Sequence, residues 1–268
     1  MTAIQPCALL LQVGPDWQVE AASANVAMLG DLKPTSAIGQ PLADLIGSKA
    51  IHSLRNRMSW LSNDESEVQD FGVEWGDATL DVRAARTDDH FLIEAELAVE
   101  PRLPDGIGMV RSMSDRLSGS DPARLAEIAM RQLNALTGFD HLMLIDPRGE
   151  VIASAQRGKP RAAATVAQSR TRVIADRDAD PVPVLGEPRS DLVGRAAFSA
   201  LDDDERVRLA DIGLFSSMAL PLRIDGELVG SLQALHHAPR RCGAERRSVA
   251  HLFAERLVAR MARCGWQP

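Results

Sequence analysis

The sequence predicts an α+β protein of two domains, each an antiparallel sheet flanked by helices, and three observations support this prediction. In the first half, two strand-like runs and a few short helical segments precede three further runs of alternating polar and apolar residues. In the second half, two amphipathic segments precede several short apolar runs, and a long amphipathic segment follows them. Between the halves, residues 101–106 include two prolines and a glycine, which is typical of a linker.

These observations set the predicted domain boundaries. The first domain covers residues 1–100, the linker 101–106 and the second domain 107–268. A chain of 268 residues is long enough for two modest domains, each with its own hydrophobic core. Its apolar fraction of 45% is ordinary for a globular protein, so no long disordered stretch is expected.

Local signals place helices and turns in the second domain. Asp121 is the predicted N-cap of a helix with Pro122 at its first position, and Gly138 ends that helix. Asp225 and Gly226 separate two apolar runs and predict the tight turn of a β-hairpin. The last helix is predicted over 244–261.

Composition argues against several classes of function. The net charge of −7 disfavours a nucleic-acid-binding protein, which needs a clustered basic face. No segment approaches the roughly 18 apolar residues that span a membrane, so we expect a cytoplasmic protein. The three cysteines are too widely spaced for a disulfide framework or a zinc site, and a helix N-terminus explains the acidic run at 202–205. No P-loop, HExxH or GxSxG motif is present, so no enzymatic activity is expected.

Short motifs spread over nearly the whole chain resemble those of one family. They are, in order, Ile4-Gln5-Pro6 with Ala8-Leu9-Leu10, Ala22-Ser23-Ala24-Asn25, Leu136-Thr137-Gly138-Phe139-Asp140, Val173-Ile174-Ala175-Asp176 with Asp180-Pro181-Val182-Pro183, Ile212-Gly213-Leu214-Phe215-Ser216-Ser217-Met218, and Leu228-Val229-Gly230 with His236-His237-Ala238-Pro239. Each motif alone is weak, but their shared order is specific. The chain therefore resembles the front half of a bacterial phytochrome, a PAS domain followed by a GAF domain.

The resemblance implies a linear tetrapyrrole (bilin) in the GAF pocket, attached through a cysteine upstream of the first motif. Only Met1, Thr2 and Ala3 precede that motif here, and Cys7 stands where the family has histidine. Cys7 is thus either a relocated attachment thiol, a redox thiol, or a small apolar residue packed among its neighbours.

Other residues that the resemblance leads us to expect in the pocket are replaced. The family's aspartate-isoleucine-proline motif is missing between Gly149 and Arg172, and the stretch after Arg157 looks shortened. Glu205 stands where the family has a pocket histidine. The chain has no tyrosine at all, and Ile145 occupies the position of one pocket tyrosine. Both the positioning and the tuning of a bilin would therefore be impaired.

The candidate ligand-binding residues of the GAF pocket are His236, Ser217, Arg172, Ile145 and Glu205. The resemblance places His236 near the outer bilin ring. His236 and His237 would bind a bilin or a heme; the alternative is an inherited strand end with one ring packed and one exposed. Arg172 would clamp a propionate or a phosphate, or would be an ordinary surface arginine.

The sequence therefore predicts a non-enzymatic, photoreceptor-related signalling module that does not bind bilin covalently, has no cofactor, and regulates another protein in trans. The alternative is a sensor of biliverdin, heme or another small ligand. The last helix carries an apolar stripe that predicts a homodimer, or else packing on its own sheet: Val249, Leu252, Phe253, Leu257 and Met261. Met109, Met113 and Leu117 on the first GAF helix would supply the facing stripe. The sequence leaves open whether the residues around Ile4 thread a loop near 183–200.

Overall fold

The computed structural model describes residues 2–29, 33–60, 67–75, 78–99, 101–157 and 168–267. The chain divides into two compact units, and each consists of two separate segments. The first unit combines Met1–Ala98 with Ala179–Asp202, and the second combines Val99–Asp178 with Asp203–Pro268. Within the described residues, no helix is both long enough and apolar enough to cross a membrane.

The described strands and helices follow the predicted order closely. The strands are β1 (Ala3–Ile4), β2 (Ala8–Val13), β3 (Val19–Ser23), β4 (Glu67–Trp75), β5 (Ala78–Thr87), β6 (His90–Leu97), β7 (His141–Ile145), β8 (Val151–Gln156), β9 (Arg172–Ile174), β10 (Val182–Gly186), β11 (Ser216–Ile224) and β12 (Glu227–His236). The helices are α1 (Pro34–Ala37), α2 (Leu42–Ile46), α3 (Ser48–Met58), α4 (Gly106–Asp115), α5 (Pro122–Thr137), α6 (Ser190–Val193), α7 (Asp203–Asp211) and α8 (Ala244–Arg263), with a 3-10 helix over Ala24–Leu29.

The first unit is built on a sheet whose order, in the described residues, is β1-β10-β3-β2-β6-β5-β4. Every residue of β2 is buried, as its mainly apolar run predicts for an inner strand, and the one polar member, Gln12, is buried too. Helix α3 packs Ile51, Leu54 and Met58 into the core on one side of this sheet. These residues are three or four positions apart and therefore share one helix face.

Strand β10 belongs to this sheet although it comes from the middle of the predicted second domain. It pairs with β3 on one side, with Val184 opposite Ser23, and with β1 on the other, with Pro183 opposite Ala3. The N–H of Gln5 donates to the carbonyl of Phe198 at 2.8 Å. The N-terminal residues are thus held from both sides by the two ends of one loop.

Buried polar contacts fix that loop to the first unit. The Glu94 carboxylate accepts hydrogen bonds from the N–H groups of Ala197 and Phe198, each at 3.0 Å, and pairs with Arg83. Burial alone would lower the pKa of the Arg83 guanidinium, but the nearby carboxylates of Glu67 and Glu94 outweigh burial and raise it. The carboxylate therefore satisfies two backbone donors and a buried cation at once.

The second unit has a five-stranded sheet, in the described residues, of order β8-β7-β12-β11-β9. Helix α5 packs on β7 and β8, and α8 packs on β11 and β12. The predicted helix start is confirmed, because the Asp121 side chain accepts a hydrogen bond from the N–H of Ala123 at 3.1 Å. The hairpin turn is confirmed too, with positive φ angles of 51° at Asp225 and 87° at Gly226.

The apolar stripe of α8 packs inside the second unit. Its buried members are Val249, Phe253, Leu257 and Met261, while Leu252 is 45% exposed. Helix α4 packs against α8 and buries Met113, so the facing stripe lies within the same chain. The stripe is therefore accounted for by the unit's own core, and the homodimer remains a prediction.

Candidate functional site

The GAF sheet has two faces with different coverings. Because side chains alternate along a strand, Met143 and Ile145 of β7 lie on one face, and Leu142 and Leu144 on the other. Met143 and Ile145 cluster with Leu235 of β12 and with residues of the α7 region rather than with α5 or α8. We call this side of the sheet the α7 face.

Cross-strand register places three predicted site residues on the α7 face. Met143 lies opposite Gln233, which lies opposite Ala219, which lies opposite Arg172. Ser217 lies opposite Leu235, the strand neighbour that shares its face. Ile145, Arg172 and Ser217 are therefore brought onto one surface.

Helix α7 and the turn after it cover this surface. Leu209, Ile212 and Leu214 pack against the cluster of Met143, Ile145 and Leu235. As a result the Ile145 side chain is fully buried, with 0% of its surface exposed. Ile145 therefore lies in the hydrophobic core of the second unit.

Two of the candidate residues pair with each other. A guanidinium nitrogen of Arg172 lies 3.0 Å from a carboxylate oxygen of Glu205, and the exposed fractions of the two side chains are 17% and 28%. The pair joins β9 to the first turn of α7. The candidate propionate clamp therefore has a carboxylate partner within the chain itself.

His236 is separated from the other four candidates. It lies opposite Ser216, so its side chain leaves the sheet on the face away from Ser217 and Leu235. Its Nδ1 lies 2.7 Å from Oδ2 of Asp140, and its ring meets the Phe139 ring edge-on at 5.9 Å between centroids. Burial lowers the pKa of His236 and outweighs the opposite effect of Asp140.

Two other histidines lie near α7. The sequence motifs indicated His237 only together with His236, and they did not indicate His141. His141 and His237 line a depression beside Arg157 and Leu214, with a cavity volume of about 10 Å³. His237 Nδ1 lies 3.1 Å from the carbonyl oxygen of Gly213, so this nitrogen carries the proton. Burial lowers the pKa of His141, and the neighbouring His237 lowers it further. The available sequence signal for His237 was the alternation of side chains along a strand. His237 follows His236 by one residue, so the two side chains are expected on opposite faces of the sheet.

The remaining predictions lie elsewhere. Cys7 is partly exposed in the turn between β1 and β2 of the first unit. The shortened stretch after Arg157 falls on residues 158–167, which lie outside the described part of the chain. Over the described residues, no three His, Cys, Asp or Glu side chains are grouped to hold a metal ion.

Sequence families identify both domains. Residues 1–98 match the PAS fold family, and residues 121–261 match the GAF domain family. The second match covers 141 of the 268 residues, and the chain belongs to the GAF domain family. None of the curated proteins compared with the chain matches it in sequence.

The chain is also similar in fold to solved structures of bacterial phytochromes. The phytochrome photosensory core module of Stigmatella aurantiaca matches with a TM-score of 0.80 and 21% identity over 97% of this chain. The chain spans 58% of that module's length. The chromophore-binding domain of a bacteriophytochrome from R. palustris matches with a TM-score of 0.77 and 22% identity, over 98% of this chain and 95% of that domain. The predicted fold class, PAS followed by GAF with antiparallel sheets flanked by helices, is confirmed.

Proposed function

We propose that this chain is a non-enzymatic signalling module that does not bind a bilin covalently and that regulates another protein by direct contact. The observation that carries the proposal is the covering of the α7 face. Leu209, Ile212 and Leu214 occupy the surface on which Ile145, Ser217 and Arg172 lie. A ligand on this face would have to displace them.

The chemistry of a bilin makes the covering significant. Pockets for ligands of drug size or larger have volumes of roughly 300–1,000 Å³. A bilin also carries two propionates, which need basic partners. Arg172, the candidate partner on this face, pairs with Glu205, and the one thiol near the first motif, Cys7, lies in the first unit.

The alternative, a sensor of biliverdin, heme or another small ligand, has one observation in its favour. His141, His237 and Arg157 meet at a depression, and imidazole is a common ligand group. The cavity there, about 10 Å³, has room for about one water molecule, which disfavours a tetrapyrrole in this conformation.

Absorption spectra of the purified chain, expressed with biliverdin and separately with heme, test the proposal. We expect no visible band in either preparation and no pigment on the protein after denaturing electrophoresis. A bacteriophytochrome chromophore-binding domain expressed in the same cells is the control for pigment supply. A red band that shifts on illumination, or a Soret band lost in His237→Ala, would overturn the proposal.

We further propose, as a separate interaction, that the chain forms a homodimer and that the helical side of the GAF domain joins the two copies. Ile107 on α4 is 74% exposed and Leu252 on α8 is 45% exposed. The two helices adjoin there, because a Cβ atom placed on Gly106 would lie 3.0 Å from Cγ2 of Val249. Light scattering should give a dimer for the native chain and a monomer for Ile107→Glu/Leu252→Glu. Val207→Glu, at an exposed apolar position on α7, should stay dimeric; a monomeric native chain would contradict this proposal.

A further inference from the structure

We propose that α7 is a lid over the α7 face, latched by Arg172 and Glu205, and that it opens independently of the rest of the GAF domain. The inference rests on the proposed function, because it concerns how the covered face is regulated. The open lid would expose Met143, Ile145 and Leu235. The GAF sheet with α5 and α8 would stay folded.

The first observation is how little of α7 is buried. None of its nine residues is buried, whereas α5 and α8 each bury a full stripe. A helix holds its place mainly through the apolar surface that it packs against the core. Segments with few buried apolar contacts open at lower free energy than the core elements of the same domain.

The second observation is that the tethers of α7 are polar side-chain contacts near its first turn. Arg172 of β9 pairs with Glu205, and Arg206 donates a hydrogen bond to the carbonyl oxygen of Arg177. The Arg177 guanidinium in turn stacks on the Phe215 ring at 4.1 Å. Polar contacts of this kind weaken when a charge is removed or salt is added.

The third observation is a hinge at the other end. Gly213 has a φ of 69°, which an L side chain rarely adopts, and the N–H of Leu214 closes the turn onto the carbonyl of Leu209 at 2.8 Å. The N–H of Phe215 then bonds to the carbonyl of His236, where β11 begins its pairing with β12. Movement about Gly213 would therefore leave the central hairpin intact.

The fourth observation is the place of α7 in the chain. It begins at Asp203, immediately after the segment Ala179–Asp202 that belongs to the PAS unit. A displacement of that segment would act directly on the first turn of α7, where Glu205 lies. The latch therefore stands at a point where the covalent chain links the two units.

The α7 face also carries a buried polar pair. Ser231 and Gln233 of β12 are on the α7 face, are 0% and 7% exposed, and are 3.4 Å apart between Oγ and Nε2. An amide and a hydroxyl among apolar side chains are what a mainly apolar ligand with a few hydrogen-bonding groups requires. The uncovered face would therefore have the character of a binding surface.

Hydrogen–deuterium exchange of the full chain, without added tetrapyrrole, tests the lid. Peptides over 203–211 should exchange faster than those of α5 and α8. Glu205→Gln should speed their exchange by roughly threefold, the factor expected when a partly exposed ion pair is lost. The charge swap Arg172→Glu/Glu205→Arg should restore the native rate, and high salt should speed exchange in the native chain.

The matched control is Glu127→Gln, which removes a carboxylate from an exposed ion pair with Arg124 on α5. It should leave exchange of α7 unchanged. Exchange of α7 as slow as that of α8, or no effect of Glu205→Gln, would overturn the lid. This outcome is separate from the spectra: a coloured protein with a fast α7 would refute the proposed function alone, and a colourless protein with a slow α7 would refute the lid alone.

Discussion

Nδ1 of His236 lies 2.7 Å from Oδ2 of Asp140, yet the pKa of this histidine is lowered. Burial is the largest cause, and the charges of Arg240 and His237 act in the same direction as burial. The same Asp140 oxygen accepts the N–H of His237 at 3.0 Å, so the carboxylate serves two residues at the end of β12. The balance at His236 leads to the first prediction.

The pKa of His236, followed by its ring resonances in an NMR titration, should lie below the ordinary value of about 6.5. Asp140→Asn removes the charge that favours the imidazolium, so the pKa should fall further. A rise of the His236 pKa in Asp140→Asn would contradict this assignment of causes.

Stability should fall as the solution is acidified below about pH 6.5. His141 and His236 have lowered pKa values in the folded chain, so the unfolded chain binds more protons in this range. The free energy of unfolding therefore decreases as pH falls from the unfolded pKa to the folded values. Urea unfolding at pH 7.5 and 5.5 measures this. His141→Gln/His236→Gln should show a smaller difference between the two pH values, and an unchanged difference would refute the prediction.

Glu94→Gln should destabilise the PAS unit by about 3 kcal/mol. The substitution removes the buried negative charge that pairs with Arg83, and it disturbs the hydrogen bonds that two backbone N–H groups donate to Glu94. Glu67→Gln is the control, since Glu67 pairs with the same arginine but is 24% exposed. Its effect should be about 1 kcal/mol. Chemical denaturation gives both values. Equal losses would mean that the bonds to Ala197 and Phe198 contribute nothing.

Two glycines of one hairpin should respond differently to alanine. A Cβ on Gly230 would lie 2.3 Å from the carbonyl oxygen of Ile145, so β12 and β7 would have to separate. Gly226 has a positive φ but open space around its Cβ position. We expect a loss of about 3 kcal/mol for Gly230→Ala and about 1 kcal/mol for Gly226→Ala, by thermal and urea unfolding. A larger loss for Gly226→Ala would show that the positive φ of Gly226 matters more than the close approach of β12 to β7 at Gly230.

Asp121→Ala should reduce the stability of the GAF domain by about 1 kcal/mol, since it removes the side-chain acceptor at the start of α5. Asp121→Asn keeps an acceptor oxygen and should cost only a few tenths of a kcal/mol. Urea unfolding of the three proteins in parallel measures both effects. Equal destabilisation by the two substitutions would show that charge, rather than the cap, is responsible.

Local elements were predictable because their signals are local. The start of α5 at Asp121 and Pro122 and the turn at Asp225 and Gly226 depend on backbone preferences of a few adjacent residues. Strand and helix order then led to the correct fold class. The capping and turn residues favour the same local backbone conformation wherever the chain packs them.

Non-local relationships were not predictable in the same way. Nothing within residues 179–202 indicates that β10 pairs with β3, because the pairing joins residues far apart in sequence. The side on which His236 lies depends on the register of one strand end, where a shift of one residue exchanges the faces. The pairing of Arg172 with Glu205 likewise required the placement of α7 over the sheet.

The discontinuity of the PAS unit bears on how the chain can be made and cut. A ribosome synthesises β10 only after the whole segment Val99–Asp178 of the second unit, so the PAS sheet cannot close when its own first 98 residues have emerged. A fragment ending near residue 100 would expose the edge of β3, and an unpaired edge strand invites association with other chains. The smallest piece that contains every strand of the PAS sheet therefore extends to Gly186, well inside the GAF sequence.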